Sequence, residues 1–301
     1  MINKVTVTND YGESIVLDLF DPYSSGIAVR EIQGLGPVNA DISHSDYASK
    51  DGGSFNGARQ GTRNIVFDLV FLDTNVSIEE VRHLTYKYWP NKRRIKILIE
   101  TDTRSLVTEG VVESNEPSIW AEDFEGCQIS VICDSPYLTS TSEQVSKLSS
   151  VVDSFHFPFT SLEDPELSFG YINVDRNVIV TNNGDVETGL IFEIIAYDEV
   201  VDPIIYNYRT NEWFGLNLTL QAGDIVRIST YTGNKTVFIT REGTTYNAIN
   251  YIMSKHPTLN TYLTWLKLAV GDQAFLIDYD DYGEGTKATL NIYHRNEYLG
   301  V

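Results

Sequence analysis

The sequence predicts a mainly β protein with two domains and one α-helix. Three observations support this prediction. Apolar and polar residues alternate in many short segments, which is the period of a half-buried strand. Only one segment carries a full set of helix signals, and the second half is divided by closely spaced turn sequences. A chain of 301 residues is also long enough for two domains, each with its own core.

Alternating segments in the first half predict strands with one buried face. The first such segment contains Val5 and Val7, each flanked by polar residues. Two longer series place apolar residues at every second position, namely Ile65, Phe67, Leu69 and Phe71, then Ile95, Ile97 and Ile99. Side chains at that spacing line one face of a sheet. We therefore expect the first domain to be a β-barrel or a sandwich-like sheet.

The one convincing helix is predicted over residues 77–89. Ser77 and Glu80 form a capping box, in which each side chain accepts a hydrogen bond from the other residue's backbone amide. Val81, Leu84 and Tyr88 follow at spacings of three and four residues, which places them on one face of the helix. A proline directly after this segment stops the helix.

A change of composition near residue 138 predicts the domain boundary. Residues 139–150 hold seven Ser or Thr in twelve positions, which is typical of a connector. We therefore assign residues 1–138 to the first domain and 139–301 to the second, with 139–150 as connector. Beyond it, short strands separated by turn sequences predict a β-sandwich or jelly roll, and the stretch 246–266 allows one short helix.

Charge excludes two classes of function. The formal net charge is -20, and acidic residues are spread over both halves of the chain. Such a chain offers no broad electrostatic attraction for nucleic-acid phosphates or anionic membranes. We exclude nucleic-acid binding as the main function and expect no membrane partner. The N-terminal residues also lack the pattern of a signal peptide, so we expect synthesis in a reducing compartment.

The two cysteines, Cys127 and Cys133, are predicted to be buried thiols on one strand face. At ~3.3 Å per residue they lie about 20 Å apart, too far for a disulfide, whose Cα atoms are ~7 Å apart at most. None of the five histidines falls in a zinc-binding motif, and we interpret His294 as a residue at the edge of a core. The sequence thus predicts no catalytic residue, no metal and no cofactor.

Three weaker patterns each leave two interpretations open. The acidic stretch 278–284 suggests calcium, but two positions fail the EF-hand pattern, which favours a solvated turn. Aromatic residues, including Trp120, Trp213 and Trp265, either fill the core or stack on sugar rings. The basic stretch 92–96 is either a solvated turn or meets the carboxylates of a neighbouring subunit.

Motifs along nearly the whole chain follow one order, namely the segments 29–40, 51–59, 63–65, 79–90, 99–102, 110–117, 133–137, 182–189, 223–228, 268–272 and 298–301. Together they resemble the motifs of one family, the phage distal tail (Dit) proteins. Their order and spacing are more persuasive than any single motif.

The resemblance implies a structural virion protein at the distal end of a tail, synthesised in the cytoplasm of the bacterial host. Six N-terminal domains would form a ring, and C-terminal galectin-like sandwiches would project outward. The implied partners are further copies of the chain, the tail tube protein, a tail-associated hub or fibre protein, and receptor-binding or baseplate proteins. An acidic lumen would keep passing DNA from sticking.

A glycine-rich hairpin tip near residues 51–57 is the predicted arm toward a neighbouring subunit, because it carries little core of its own. With four basic positions outside the tip, the predicted interface consists of Asp51, Gly52, Gly53, Phe55, Asn56, Arg59, Arg63, Arg93 and Arg94. Deleting residues 50–58 should then leave a folded protein that does not form hexamers.

Two other functions remain as alternatives. A carbohydrate-binding adhesin acting through the C-terminal sandwich would expose Trp213 or tyrosines in a groove. A tail-associated hydrolase would need either two facing carboxylates, one of them with a raised pKa, or a metal site.

Overall fold

The computed structural model describes residues 1–74, 76–121, 124–147, 149–153, 170–174, 177–256, 258, 261–279 and 287–301. It is mainly β, as the sequence predicts, and it divides into two compact units. The first unit comprises Met1–Thr141 together with Glu297–Val301, and the second comprises Ser142–Asn296. The final five residues therefore belong to the first unit, whereas the sequence assigned them to the second domain.

The first unit contains one α-helix and most of its strands lie in one sheet. Its elements are β1 (Ile2–Thr8), β2 (Ser14–Asp18), β3 (Ile27–Gln33), β4 (Ala40–Asp46), β5 (Gly53–Gln60), β6 (Arg63–Phe71), α1 (Ile78–Tyr88), β7 (Arg94–Thr101), β8 (Ser105–Ala121), β9 (Phe124–Cys133) and β10 (Leu138–Ser140). The sheet has the order β2-β1-β7-β8-β9-β6-β3. Strand β10 pairs with β8 and with a last short strand, Glu297–Tyr298, which is β25 in chain order.

One core fills this unit, and the alternating residues predicted from the sequence form it. The series from Ile65 to Phe71 and from Ile95 to Ile99 are buried at every second position, as are Val5 and Val7. Helix α1 covers the core with Val81. Trp89, directly after the helix, meets Phe67 of β6 edge to face with ring centroids 5.9 Å apart.

The predicted helix is confirmed, with its N-terminal cap. The Ser77 side chain accepts a hydrogen bond from the Glu80 amide, and the Glu80 carboxylate accepts one from the Ser77 amide at 3.1 Å. Both groups satisfy amide hydrogens that the first turn of a helix leaves unpaired.

The second unit is a sandwich of two sheets, also as predicted. Its strands are β11 (Gln144–Lys147), β12 (Ser149–Asp153), β13 (Gly170–Val174), β14 (Asn177–Asn182), β15 (Ile191–Ala196), β16 (Val200–Val201), β17 (Ile204–Asn207), β18 (Glu212–Gly215), β19 (Thr219–Leu220), β20 (Ile225–Ser229), β21 (Thr236–Arg241), β22 (Thr244–Asn247), β23 (Gly271–Asp278) and β24 (Ala288–His294). The two larger sheets have the orders β11-β24-β15-β20-β21-β22 and β14-β23-β17-β18. Phe192 and Phe275, one from each sheet, meet in the shared core with ring centroids 5.5 Å apart.

The predicted connector 139–150 contains the boundary between the two units, which falls after Thr141, but much of it forms strands. Strand β10 ends at Ser140, and β11 pairs in register with β24 from Gln144 to Lys147. Strand preference depends strongly on context, and here the context is pairing with β24, which lies far along the chain. Within the stretch 246–266, the described residues form one 3-10 turn, Ile249–Tyr251.

Candidate subunit interface

A two-stranded hairpin, β4–β5, stands apart from the main sheet of the first unit. Strands β3 and β6 pair with each other at the edge of that sheet, and the chain between them forms the hairpin. Among the described strands, β4 and β5 pair only with one another. An isolated two-stranded hairpin is marginally stable in water, so this element gains stability from any surface that covers it.

The two faces of the hairpin differ in chemistry. Ile42 pairs with Ala58 and His44 pairs with Phe55, and directly paired residues project to the same side of the ladder. This apolar face is open to solvent, because Ile42 is 65% exposed and Phe55 is 69% exposed. Exposed apolar side chains that share one face are a common feature of protein interaction surfaces, which makes this face a candidate for one.

The opposite face of the hairpin is polar and holds its shape with its own contacts. The Asn56 amide donates a hydrogen bond to the Ser45 hydroxyl at 2.7 Å. Arg59 lies 3.5 Å from the carboxylate of Asp41, directly across the ladder. Asn56 is also the extra residue of a β-bulge, since the register shifts between Ser43 and His44.

The tip of the hairpin differs from the prediction by a few residues. The turn spans residues 47–52, and it is closed by a hydrogen bond of 3.1 Å from the Tyr47 amide to the Gly52 carbonyl. Gly52 has a φ of 94°, a conformation that favours glycine. Gly53, which the sequence placed in the tip, begins β5, and Asp51 lies in the turn and is exposed.

Arg63, a predicted interface residue, is instead fully buried at the root of the hairpin. Its Nη1 donates to the Gly34 carbonyl and, at 2.8 Å, to the Gly36 carbonyl. Its Nη2 donates to the carbonyls of Pro136 at 2.6 Å and Leu299 at 2.7 Å. Its Nε donates to the Pro136 carbonyl at 2.9 Å.

All five N–H donors of the Arg63 guanidinium are thus used inside its own unit. Burial lowers the pKa of Arg63, and the four carbonyl oxygens stabilise its charge. The prediction that this side chain meets a neighbouring subunit is wrong, because the group is buried and has no donor left. Its role is to fix the segments that flank the hairpin.

The other two basic candidates lie away from the hairpin: Arg93 is in the connection between α1 and β7, and Arg94 is the first residue of β7. Arg93 is 3.5 Å from the Asp10 carboxylate, and Arg94 is 2.9 Å from the Asp134 carboxylate. Both side chains remain more than half exposed. The structure therefore gives each arginine an ion-pair partner in its own unit.

The described residues contain no arrangement that points to catalysis. No cluster of three metal-ligating side chains occurs among them. The described carboxyl groups with a shifted pKa, namely Glu13, Asp18, Glu80, Asp102 and Asp224, all have it lowered by hydrogen bonds. A general acid would need the opposite shift. Residues 280–284 of the acidic stretch lie outside the described residues.

The cysteines and His294 are core residues. Cys127 and Cys133 are free and buried, as predicted, and burial raises the pKa of Cys127 to about 12. A thiol with such a pKa is unreactive at neutral pH. His294 is 1% exposed, and burial lowers its pKa.

No helix in the described chain is long and apolar enough to cross a membrane.

Trp213, the residue predicted to stack on sugars if exposed, is only 1% exposed. Its indole Nε1 donates to the Thr261 hydroxyl at 2.9 Å, and its ring meets His256 edge to face at 5.0 Å. The core interpretation is therefore correct for Trp213. Trp265 is half-buried against Phe214, with ring centroids 4.9 Å apart. The Trp120 side chain lies outside the described residues.

Comparison with known proteins identifies the class of fold. No protein-family model matches the sequence, and no curated protein matches it. Among solved structures, the chain matches proteins of phage tail hubs and baseplates.

The first of these is the crystal structure of SPP1 Dit (gp 19.1), described as a paradigm of the hub adsorption apparatus in phages that infect Gram-positive bacteria. The match has a TM-score of 0.64 at 10% identity and covers 97% of this chain and 98% of SPP1 Dit. The activated baseplate of phage P2 with Ca also matches, with a TM-score of 0.48 at 12% identity over 98% of each chain. The chain shares the fold of SPP1 Dit, which confirms the predicted resemblance to Dit proteins at the level of structure.

Proposed function

We propose that this protein is a structural component of a phage virion, a hub at the distal end of the tail. Six copies form a ring through their first units, and the hairpin of each copy is an arm that contacts the next copy. The ring joins the tail tube to the proteins of the tail tip. No chemical step is part of this function.

The observation that carries the proposal is the exposed apolar face of β4–β5 on a chain with the SPP1 Dit fold. The proposal requires that a different part of the neighbouring copy receives the hairpin, so that the contact is heterologous. Contacts of this kind generate a closed ring when the rotation between subunits divides a full turn. A ring of identical subunits would also cover all the hairpins, which leaves no unpaired arm.

Six of the predicted interface residues belong to this arm: Asp51, Gly52, Gly53, Phe55, Asn56 and Arg59. Phe55, with Ile42 added from the structure, supplies the apolar contact. Arg93 and Arg94 each form an ion pair within their own unit, and the exposed part of each side chain remains available to a carboxylate of a neighbouring copy. Arg63 is no longer part of the interface.

The remaining partners follow from the place of a hub in a tail. The ring would contact the last ring of tail tube protein on one side and a tail-associated hub or fibre protein on the other. The second unit, as a galectin-like sandwich, would offer docking surfaces to receptor-binding or baseplate proteins. The chain would be made in the host cytoplasm and end in the virion.

An acidic lumen is the electrostatic part of the proposal. The net charge of -20 gives the ring an excess of carboxylates, and those that face the lumen would repel DNA phosphates. A ring structure with a neutral or basic lumen would contradict this part without affecting the ring itself.

Electron microscopy of the purified full-length protein tests the proposal directly. The expected result is rings with six-fold symmetry in class averages, with a fraction that rises as protein concentration rises. Single particles of monomer size at every concentration, with and without purified tail tubes added, would contradict it.

A further inference from the structure

The second unit contains a groove that the hub function does not use. It has a volume of about 680 Å³, within the range of ~300–1,000 Å³ typical of ligand sites. Leu218 and Ile239 line it, and both are half-buried at the margin of the sandwich core. Two tyrosines, Tyr246 and Tyr251, also line it.

The two tyrosines are held in place by backbone structure. Tyr246 lies on β22 directly opposite Ile239 on β21, so both side chains project to the same face of the sheet. Tyr251 ends the 3-10 turn Ile249–Tyr251, and its carbonyl accepts a hydrogen bond of 2.7 Å from the Asn217 amide. Tyr246 is 54% exposed and Tyr251 is 50% exposed. Half of each side chain is therefore available to a ligand.

Arg241 lines the groove with a guanidinium whose orientation is fixed. Its Nε donates to both carboxylate oxygens of Asp224 at 3.0 Å. Its Nη2 donates to Asp224 at 2.5 Å and to the Thr219 carbonyl at 3.2 Å. The Asp224 side chain is 3% exposed, whereas that of Arg241 is 44% exposed. Three of the five N–H donors are thus used, and the two on Nη1 remain for a ligand.

Asn247 contributes a second set of donors to the groove. Its Oδ1 accepts a hydrogen bond of 2.9 Å from the Ile249 amide. That bond fixes the side chain and leaves the two N–H groups of Nδ2 for another molecule. The hydroxyl of Thr219, which also lines the groove, can donate or accept.

A ligand that fits this lining has many acceptor oxygens and at least one apolar face. A pyranose has both, since its axial C–H groups pack on aromatic rings while its hydroxyl and ring oxygens accept hydrogen bonds. We propose that the groove formed by Tyr246, Tyr251, Arg241 and Asn247 binds a saccharide. This function is separate from ring formation, and either can hold without the other.

Saturation-transfer NMR on the full-length protein tests the groove. The probes are glucose, galactose, N-acetylglucosamine and glucuronate, with the disaccharides cellobiose, lactose and chitobiose. We expect transfer to ring C–H protons of at least one probe, with a Kd of about 1 mM. Tyr246→Ala and Tyr251→Ala should each weaken that binding about tenfold. Tyr262→Ala, which removes a 79% exposed tyrosine outside the groove, should leave it unchanged.

Three results would overturn the proposal. The first is the absence of transfer to every probe at about 10 mM. The second is transfer that persists at full strength in both groove variants. The third is loss of the glucuronate signal when acetate or sulfate is added at equal concentration, because the groove would then recognise a simple anion through Arg241. Near-UV circular dichroism of each variant verifies that the surface substitutions leave the sandwich folded.

Discussion

Arg63 donates a hydrogen bond of 2.7 Å to the carbonyl oxygen of Leu299, 236 residues further along the chain. Through this contact the end of the chain is fixed to the segment from which the hairpin emerges. Val301 adds to it, because its amide donates to the Leu35 carbonyl at 3.1 Å. The contact explains why Glu297–Val301 belong to the first unit although the second unit precedes them in sequence.

Replacing Arg63 should destabilise the first unit strongly. In Arg63→Met the four carbonyl acceptors lose all five hydrogen bonds, and each buried acceptor without a partner costs ~1–3 kcal/mol. We expect a loss of at least about 3 kcal/mol, seen as an earlier unfolding transition in urea. The matched control is Arg59→Met, which removes an exposed ion pair worth ~0–1 kcal/mol. Equal midpoints for the two variants would contradict the anchoring role.

Gly34 should tolerate no side chain, in contrast to its near neighbour Gly36. Gly34 has a φ of 81°, and a Cβ atom there would lie 1.8 Å from the Asn64 carbonyl oxygen. A Cβ atom at Gly36 would meet nothing within 4 Å. We expect Gly34→Ala to lower the thermal midpoint of the first unit by several degrees and Gly36→Ala to change it little. Similar thermal midpoints for the two variants would contradict this prediction, because the loop at the root of the hairpin would then rearrange to accept a side chain at position 34.

The Asp224–Arg241 pair should make the second unit sensitive to acid. Hydrogen bonds from Arg241 hold the pKa of Asp224 below its usual value of 3.8. A carboxyl group with a lowered pKa stabilises the folded state fully above its unfolded pKa and loses that contribution as pH falls through the folded pKa. We expect Asp224→Asn to lose about 2 kcal/mol at pH 7 and to be less pH-dependent below pH 4 in urea titrations. A variant with unchanged acid sensitivity would contradict this assignment.

His294 should produce a pH dependence at higher pH. Burial lowers its pKa below the usual 6.5, so the unfolded chain binds a proton more readily than the folded one. The stability of the second unit should therefore be complete above pH 6.5 and decrease as pH falls toward the folded pKa. His294→Gln should flatten the stability profile between pH 7.5 and 5.5. His83→Gln, at a 64% exposed side chain, should retain the slope of the unmodified protein.

The sequence predicts local features of this fold better than long-range ones. The capping box of α1 involves residues three positions apart, and both of its hydrogen bonds occur as predicted. The buried faces of β6 and β7 follow from alternation alone. In each case the information lies within a few consecutive residues.

The misinterpreted features depend on partners that are distant in sequence. The environment of Arg63 needs carbonyls from three separate segments, so its sequence context gives no indication that it is buried. The 144–147 segment forms a strand only because β24 pairs with it.

The hairpin could be predicted from the sequence only in part. Glycines near residue 52 predict a turn, and a turn is present, since local backbone geometry decides it. The full length of β4 and β5 and the apolar face with Ile42 could not be predicted. That face depends on a register shift at Ser43, which brings Phe55 to the same side as Ile42.

The most direct test of the hub proposal is the mass in solution, by light scattering at two salt concentrations, of the full-length protein and of hairpin variants. The unmodified protein should have six times the 33.9 kDa chain mass, and so should Ser54→Asp on the polar face. The double variant Ile42→Asp/Phe55→Asp should be a folded monomer, because two carboxylates prevent burial of the apolar face. An unmodified protein that is monomeric at both salt concentrations and also forms no rings when tail tubes are added would contradict the ring, and a hexameric double variant would contradict the hairpin as its arm.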